Sequence, residues 1–251
     1  MADLFELERF CNELLDSSSF EDYCPNGLQV DSGVRQVQRL VTGVTASQAL
    51  IDEAVSWQSD LLLVHHGYFW RGEEQPLVGY KGRRVRTLIQ QGISLMAYHL
   101  PLDAHPELGN NKQLAVLLEL DDVEVLQETG GLLWRGSFRS PLAAEQLAGK
   151  MSAVLNRQPL HIPAGDSPIS RVCWCTGAAQ SYIEKAAEHG TDAYISGEIS
   201  EQTVHIAREL GVHYFAAGHH ATERYGVRAL GGLLSKEFGL EHRFIEVENP
   251  V

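Results

Sequence analysis

Two adjacent histidines end one of the apolar runs of the chain. His65 and His66 directly follow the run 61–64 and precede Gly67. Burying two imidazoles without partners is costly, so the pattern indicates that something satisfies them. Because glycine lets the backbone turn where a strand ends, both side chains can approach one site. The alternative is an ordinary hydrogen-bonded position, which explains most single histidines.

Two further segments place imidazole and carboxylate groups just after apolar runs. His99 and Asp103 follow the run 93–97, and His219 and Glu223 follow the run 213–217. Residues four apart share one face of a helix, so the second pair has a spacing that suits metal chelation. His99 can titrate near neutral pH and is the candidate catalytic acid or base. A histidine that is only hydrogen-bonded beneath the strand end is an equal alternative for His99.

The combined donor set contains imidazoles and carboxylates but no thiolates. Such a set fits two divalent first-row ions about 3.5–4 Å apart, with Fe, Zn and Mn as the main candidates. A single zinc site would need only three of these ligands. A hydroxide bridging two ions would be a nucleophile near neutral pH, which is hydrolase chemistry. The predicted metal ligands are His65, His66, Asp103, His219 and Glu223.

Other parts of the sequence limit the classes of function that the protein can have. No phosphate-binding P-loop and no nucleophile-elbow pattern occurs, which argues against nucleotide kinases and serine hydrolases. Basic residues between Lys81 and Arg86 could orient an anionic substrate, although the solvated face of a helix explains them more simply. Cys173 and Cys175 are spaced as small apolar residues on one face of a strand.

The composition is that of an acidic globular protein. Among 251 residues there are 20 Lys and Arg against 33 Asp and Glu, a formal net charge of −13. This balance argues against a nucleic-acid or anionic-membrane partner. We find no signal peptide and no apolar stretch of about 20 residues, and four cysteines in such a chain do not indicate a disulfide framework. The expected location is therefore the cytoplasm.

Apolar runs alternate with helical patterns along much of the chain, which is typical of an α/β fold. The segments 40–64 and 172–195 share this order and also match at Thr-Gly and at an aspartate before the second run. We therefore predict an internal duplication, giving two α/β domains with largely parallel or mixed sheets flanked by helices. The predicted domains are a discontinuous metal-binding domain, 1–123 plus 219–251, and a second domain, 124–218.

The chain resembles the family of GTP cyclohydrolase 1 type 2 homologues, which are Nif3-like proteins with a dinuclear metal centre. The resemblance covers essentially the whole chain, and four segments carry it: 26–30, 65–67, 99–103 and 218–223. It implies the same five metal ligands, with His220 as a neighbour only. It also implies two metal ions per chain and a toroidal homohexamer whose metal sites face an interior cavity.

Three functions follow as hypotheses. The leading one is a dinuclear-metal-dependent hydrolase that acts on a small molecule, with nucleotides and other heterocycles among the candidate substrates. The second is a non-catalytic metal-binding protein that forms a ring-shaped scaffold. The third is an iron-dependent oxidase, because imidazole and carboxylate ligands also suit iron.

Overall fold

The computed structural model describes residues 1–251. The strands are β1 (Ala2–Asp3), β2 (Gly27–Val30), β3 (Gln36–Val37), β4 (Arg39–Thr45), β5 (Leu61–His66), β6 (Ser94–Ala97), β7 (Asp121–Leu126), β8 (Leu133–Leu142), β9 (Leu160–Ile162), β10 (Ile169–Cys175), β11 (Ala193–Ser196), β12 (His213–Ala216) and β13 (Glu241–Phe244). The helices are α1 (Leu4–Leu14), α2 (Gln48–Ser56), α3 (Gly79–Gln90), α4 (Leu100–Ala104), α5 (Asn110–Leu117), α6 (Ala144–Leu155), α7 (Ile183–Glu188), α8 (Glu201–Leu210), α9 (His219–Thr222) and α10 (Arg224–Phe238).

The chain forms two compact units, whose bounds differ from the predicted domains. The first unit comprises Met1–Leu108 and Gly226–Glu248, and the second comprises Gly109–Tyr225 and Asn249–Val251. Helix α5 belongs to the second unit because its Leu114 packs in the same apolar cluster as Trp134. Helix α9 belongs there as well, since Ala221 lies in that cluster. His219 and Glu223, which the sequence assigned to the first domain, are therefore part of the second unit.

The first unit is built on a five-stranded sheet with the order β13-β4-β5-β6-β2, in which only β2 runs antiparallel to its neighbour. Successive side chains of β5 point to opposite faces, and both faces are covered. Leu61 and Leu63 pack in a cluster with residues of α1 and α10, whereas Leu62 and Val64 pack with residues of α2 and α3. This double cover explains the unbroken apolar run before His65.

The second unit is built on a six-stranded sheet with the order β7-β8-β10-β11-β12-β9. Its strands β10, β11 and β12 are parallel, and the other pairs are antiparallel. Trp174 on β10 is fully buried in a cluster with residues of α5 and α6. On the opposite face, Cys173 and Cys175 are buried beside residues of α7 and α8, and neither forms a disulfide, as their spacing predicted.

The predicted duplication is visible in matching hydrogen bonds. In each unit, an aspartate precedes one parallel strand (β5 or β11) and accepts hydrogen bonds from two backbone N–H groups at the start of the neighbouring parallel strand (β4 or β10). These bonds measure 2.8–2.9 Å and join Asp60 to Gln38 and Arg39, and Asp192 to Ser170 and Arg171. The predicted fold class, with parallel and antiparallel sheets flanked by helices, is confirmed. No helix of the chain is both long enough and apolar enough to cross a membrane.

Candidate metal centre

In the first unit, His65 is the second-last residue of β5 and has an orientation that suits a metal ligand. Its side chain is fully buried, and its Nδ1 lies 2.9 Å from the backbone oxygen of Tyr98. A carbonyl oxygen only accepts, so Nδ1 carries the proton and Nε2 holds the lone pair. Nε2 lies 3.4 Å from Oδ1 of the buried Asp103, which α4 supplies. His65 and Asp103 therefore offer a nitrogen and an oxygen donor side by side.

His66 and His99 complete a group of three imidazoles in the first unit. One ring nitrogen from each of His65, His66 and His99 lies within 4.8 Å of those of the other two. The Nδ1 atom of His66 lies 3.2 Å from the hydroxyl of Thr45, which is the last residue of β4. The carboxyl ends of adjacent parallel strands thus deliver these side chains to one edge of the sheet, as the sequence predicted for His65 and His66.

His99 lies between β6 and α4 and is held by Asp22. The Nδ1 atom of His99 is 2.7 Å from Oδ1 of Asp22. Burial alone would raise the pKa of Asp22, but the hydrogen bond and the charge of His99 outweigh it and lower the pKa to about 2. Asp22 is therefore a carboxylate near neutral pH. No sequence pattern predicts this pair, because the two residues are 77 positions apart.

Cys24 lies close to this pair but has the properties of a buried thiol. Its ligand atom lies within 4.8 Å of those of Asp22 and His99. Burial, followed by the charge of Asp22, raises the pKa of Cys24 to about 12. The thiol therefore keeps its proton at neutral pH, and only the thiolate is a strong metal ligand.

The second unit carries its own pair of candidate ligands. His219 begins α9 and Glu223 follows it, and the Nε2 atom of His219 lies 3.1 Å from Oε2 of Glu223. The predicted four-residue spacing thus brings the two side chains together. Glu223 is almost fully buried, with 3% of its side chain exposed.

Glu198, which follows β11, holds the other side of the His219 ring. Its Oε1 atom lies 2.6 Å from Nδ1 of His219. Burial lowers the pKa of His219, but the bonds and charges of Glu223 and Glu198 outweigh it and raise the pKa to about 9. The side chain of Glu198 therefore orients the His219 ring. Metal binding would replace the proton on Nε2.

Gly177 provides the space that Glu223 occupies. Its backbone has a φ of +70°, and a Cβ atom at this position would lie 2.1 Å from Oε1 of Glu223. Its N–H also donates to the hydroxyl of Thr222 in α9, at 3.2 Å. Only glycine satisfies both the left-handed backbone and the close approach of the carboxylate.

Both clusters have the donor chemistry of a site for divalent first-row ions. They combine carboxylates with imidazoles whose Nδ1 atoms are hydrogen-bonded to oxygen, so that Nε2 can bind a metal. His65, His66 and Asp103 lie in the first unit, and His219 and Glu223 lie in the second. A single dinuclear centre formed by all five stays a prediction.

The basic residues Lys81, Arg83 and Arg86 of α3 are either paired within the protein or exposed to solvent. Lys81 is buried, and its Nζ atom pairs with Glu73 at 2.8 Å. Arg83 and Arg86 are exposed to solvent. The exposed arginines agree with the solvated helix face, and Lys81 has an internal partner.

Comparisons with known proteins agree with the resemblance seen in the sequence. A GTP cyclohydrolase 1 type 2 homolog of Allochromatium vinosum is 54% identical over 250 residues, covering 100% of this chain and 98% of that relative. The solved structure of protein ybgI, described as of unknown function, is 50% identical with a TM-score of 0.94, covering 99% of this chain and 100% of that one.

A second solved structure extends the agreement to a more distant relative. TTHA1606 from Thermus thermophilus is 35% identical with a TM-score of 0.90, covering 99% of this chain and 100% of that one. The family described as Duf34/NIF3 (NGG1p interacting factor 3) matches residues 2–250. These matches confirm the predicted resemblance, and the chain belongs to the Duf34/NIF3 family.

Proposed function

We propose that the chain is a metal-dependent hydrolase of a small molecule. The observation that carries the proposal is the imidazole group of the first unit, in which the candidate ligands His65 and His66 adjoin His99, and His99 is paired with the carboxylate of Asp22. A scaffold needs ligands only, whereas an imidazole paired with a carboxylate is the usual arrangement of a general acid or base. A bound divalent ion supplies Lewis acidity and lowers the pKa of water.

The protein side chains have separate tasks in this proposal. His65, His66 and Asp103 in the first unit, and His219 and Glu223 in the second, hold two divalent ions per chain, with Fe, Zn or Mn as candidates. His99 accepts or donates a proton at Nε2, because Nδ1 is occupied by Asp22. The name of the relatives makes GTP and related heterocycles the first substrates to test. We also propose that the protein is cytoplasmic and that it forms a homohexamer. Light scattering of the purified protein tests the hexamer directly.

Elemental analysis of the purified, tag-free protein tests the metal assignment first. We expect about two equivalents of a first-row metal per chain. The variants His65→Ala and Glu223→Ala should each contain less. His205→Ala is the matched control, because this histidine pairs with Glu201 on α8 and 64% of its side chain is exposed. No metal in the wild type, and none regained on adding Fe, Mn or Zn, would refute the assignment.

Turnover tests the enzymatic part separately. The metal-loaded protein should release product from GTP or from a simple phosphoester, and His99→Gln should slow this by about 10²–10⁴-fold while keeping its metal. Oxygen consumption by an iron-loaded protein, without hydrolysis, would favour the oxidase instead. Metal that maintains the assembly without any turnover would favour the scaffold.

A further inference from the structure

The segment that precedes β2 holds His99 at its ring and at its backbone. Asp22 Oδ1 accepts a hydrogen bond from His99 Nδ1 at 2.7 Å, and Asn26 Oδ1 accepts one from the backbone N–H of His99 at 2.8 Å. Asp22 Oδ2 accepts the backbone N–H of Leu100 at 3.0 Å and the side-chain amide of Asn26 at 2.9 Å. The three side chains therefore form one connected network.

This network is shielded from water. The side chains of Asp22 and His99 are 3% and 13% exposed, so solvent cannot easily replace their mutual hydrogen bond. The backbone N–H of Tyr23 also donates to Asp22 Oδ1, at 2.6 Å. Both carboxylate oxygens thus accept two bonds each, which fixes the rotamer of Asp22 as well as its charge.

The direction of these bonds decides which nitrogen of His99 is reactive. A carboxylate only accepts, so the neutral imidazole must carry its proton on Nδ1. The lone pair then lies on Nε2, which is the ring nitrogen that does not bond to Asp22. In aqueous solution a neutral histidine exchanges between both tautomers, so the protein must select one.

We propose that Asp22 and Asn26 are positioning residues for His99: Asp22 fixes the Nδ1–H tautomer, and Asn26 fixes the backbone that sets the direction of Nε2. The inference deepens the proposed function, since it depends on that function for the role of His99 in proton transfer. The orientation itself does not depend on any activity. Nothing in the sequence spacing connects residues 22 and 26 to residue 99.

The tautomer of His99 in the metal-free, full-length protein is the primary test. Long-range proton–nitrogen NMR of ¹⁵N-histidine-labelled protein distinguishes protonated from unprotonated ring nitrogens, and His99→Gln identifies the signals. At about pH 8.5, where an ordinary histidine is neutral, the wild type should show Nδ1 protonated and Nε2 unprotonated. An Nε2–H tautomer in the wild type would overturn the inference without any need for a variant.

Asp22→Asn replaces one of the two accepting carboxylate oxygens by an NH₂ group while keeping the shape of the side chain. An amide can offer an oxygen to only one of the two groups of donors, so the Nδ1–H form of His99 should no longer dominate. Asp22→Ala, which leaves no acceptor, should give the same shift. His65, whose Nδ1 faces a backbone carbonyl, should keep its tautomer in both variants. An unchanged His99 tautomer in both variants would overturn the inference.

The matched control and the activity measurements separate the two proposals. Asp31→Asn alters a carboxylate that accepts the backbone N–H of Gly33, and it should leave His99 unchanged. With a metal-loaded protein that hydrolyses GTP, Asp22→Asn should lower kcat by about 10²–10⁴-fold with little change in KM. Asn26→Ala should lower kcat while keeping the Nδ1–H tautomer. Absence of hydrolysis in the wild type would refute the proposed function, whereas the NMR result would still decide the inference.

Discussion

Replacing Gly177 by alanine tests whether the buried carboxylate of Glu223 has room to move. The new Cβ atom would lie 2.1 Å from Oε1 of Glu223, so one of the two must shift. Only 3% of the Glu223 side chain is exposed, and the surrounding protein therefore limits its movement. We expect the carboxylate to leave its position 3.1 Å from Nε2 of His219.

Gly211 provides a control with the same backbone cost and no collision. It directly follows α8 with a φ of +67°, close to the +70° of Gly177, and no neighbouring atom lies within 4 Å of a Cβ built on it. A left-handed alanine costs about 1–2 kcal/mol at either position. Losing a hydrogen bond between charged groups adds about 1.5–3 kcal/mol at Gly177 alone. The expected losses are thus about 1–2 kcal/mol for Gly211→Ala and about 2.5–5 kcal/mol for Gly177→Ala.

Urea unfolding of the metal-free protein at neutral pH measures both losses, and NMR titration measures the pKa of His219. In the wild type that pKa is raised to about 9 by Glu223 and Glu198 despite burial. It should fall in Gly177→Ala and stay unchanged in Gly211→Ala. Equal losses of stability, together with an unchanged pKa of His219, would show that Glu223 relaxes freely and would refute this reasoning.

Two further predictions concern pH and the duplication. Because the pKa of His219 is raised to about 9 from an ordinary 6.5, its stabilising contribution is complete below pH 6.5 and disappears as the pH rises to about 9. The Tm of the metal-free protein should fall across this window, because the free energy of unfolding decreases by at most about 3 kcal/mol. The decrease should be smaller in Glu198→Gln. Asp60→Ala and Asp192→Ala should each cost about 1–3 kcal/mol in urea unfolding, because two backbone donors lose their acceptor. The exposed Asp166→Ala should change stability by less than about 0.5 kcal/mol, and equal effects of all three would contradict the match between the repeats.

The sequence predicted the parallel core better than the bounds of the two units. Unbroken apolar runs such as 61–64 require cover on both faces, so they indicate buried parallel strands without further information. The pattern of an amphipathic helix indicates that one face packs against a sheet, but not against which sheet. Helix α5 could have packed in either unit, and the contact of Leu114 with the Trp134 cluster, which decides the matter, is a tertiary one.

The same distinction explains which candidate residues the sequence indicated. His65 lies at the end of β5 and Asp103 follows β6, and the rule that ligands collect at carboxyl strand ends made them candidates. Asp22 lies in an irregular segment before β2, where no periodic pattern exists, and its hydrogen bond with His99 spans 77 residues. Glu198 follows β11, and its 2.6 Å contact with His219 joins residues 21 positions apart, so it is visible only in the folded chain.

The duplication explains why donors occur at corresponding places in both units. In the first unit Val64 of β5 pairs with Ala97 of β6, and in the second Ser196 of β11 pairs with Ala216 of β12. Two residues beyond Val64 and Ser196 lie His66 and Glu198, respectively.

A short helix follows β6 in the first unit and β12 in the second. Helix α4 contains Asp103, and Glu223 directly follows α9. Backbone pairing sets where the strands end, so these positions remain available for donor groups whichever side chain occupies them. The two repeats differ in their donor types, because His66 offers an imidazole where Glu198 offers a carboxylate that holds His219. Corresponding strand ends therefore carry a candidate metal ligand in one unit and a residue that orients such a candidate in the other.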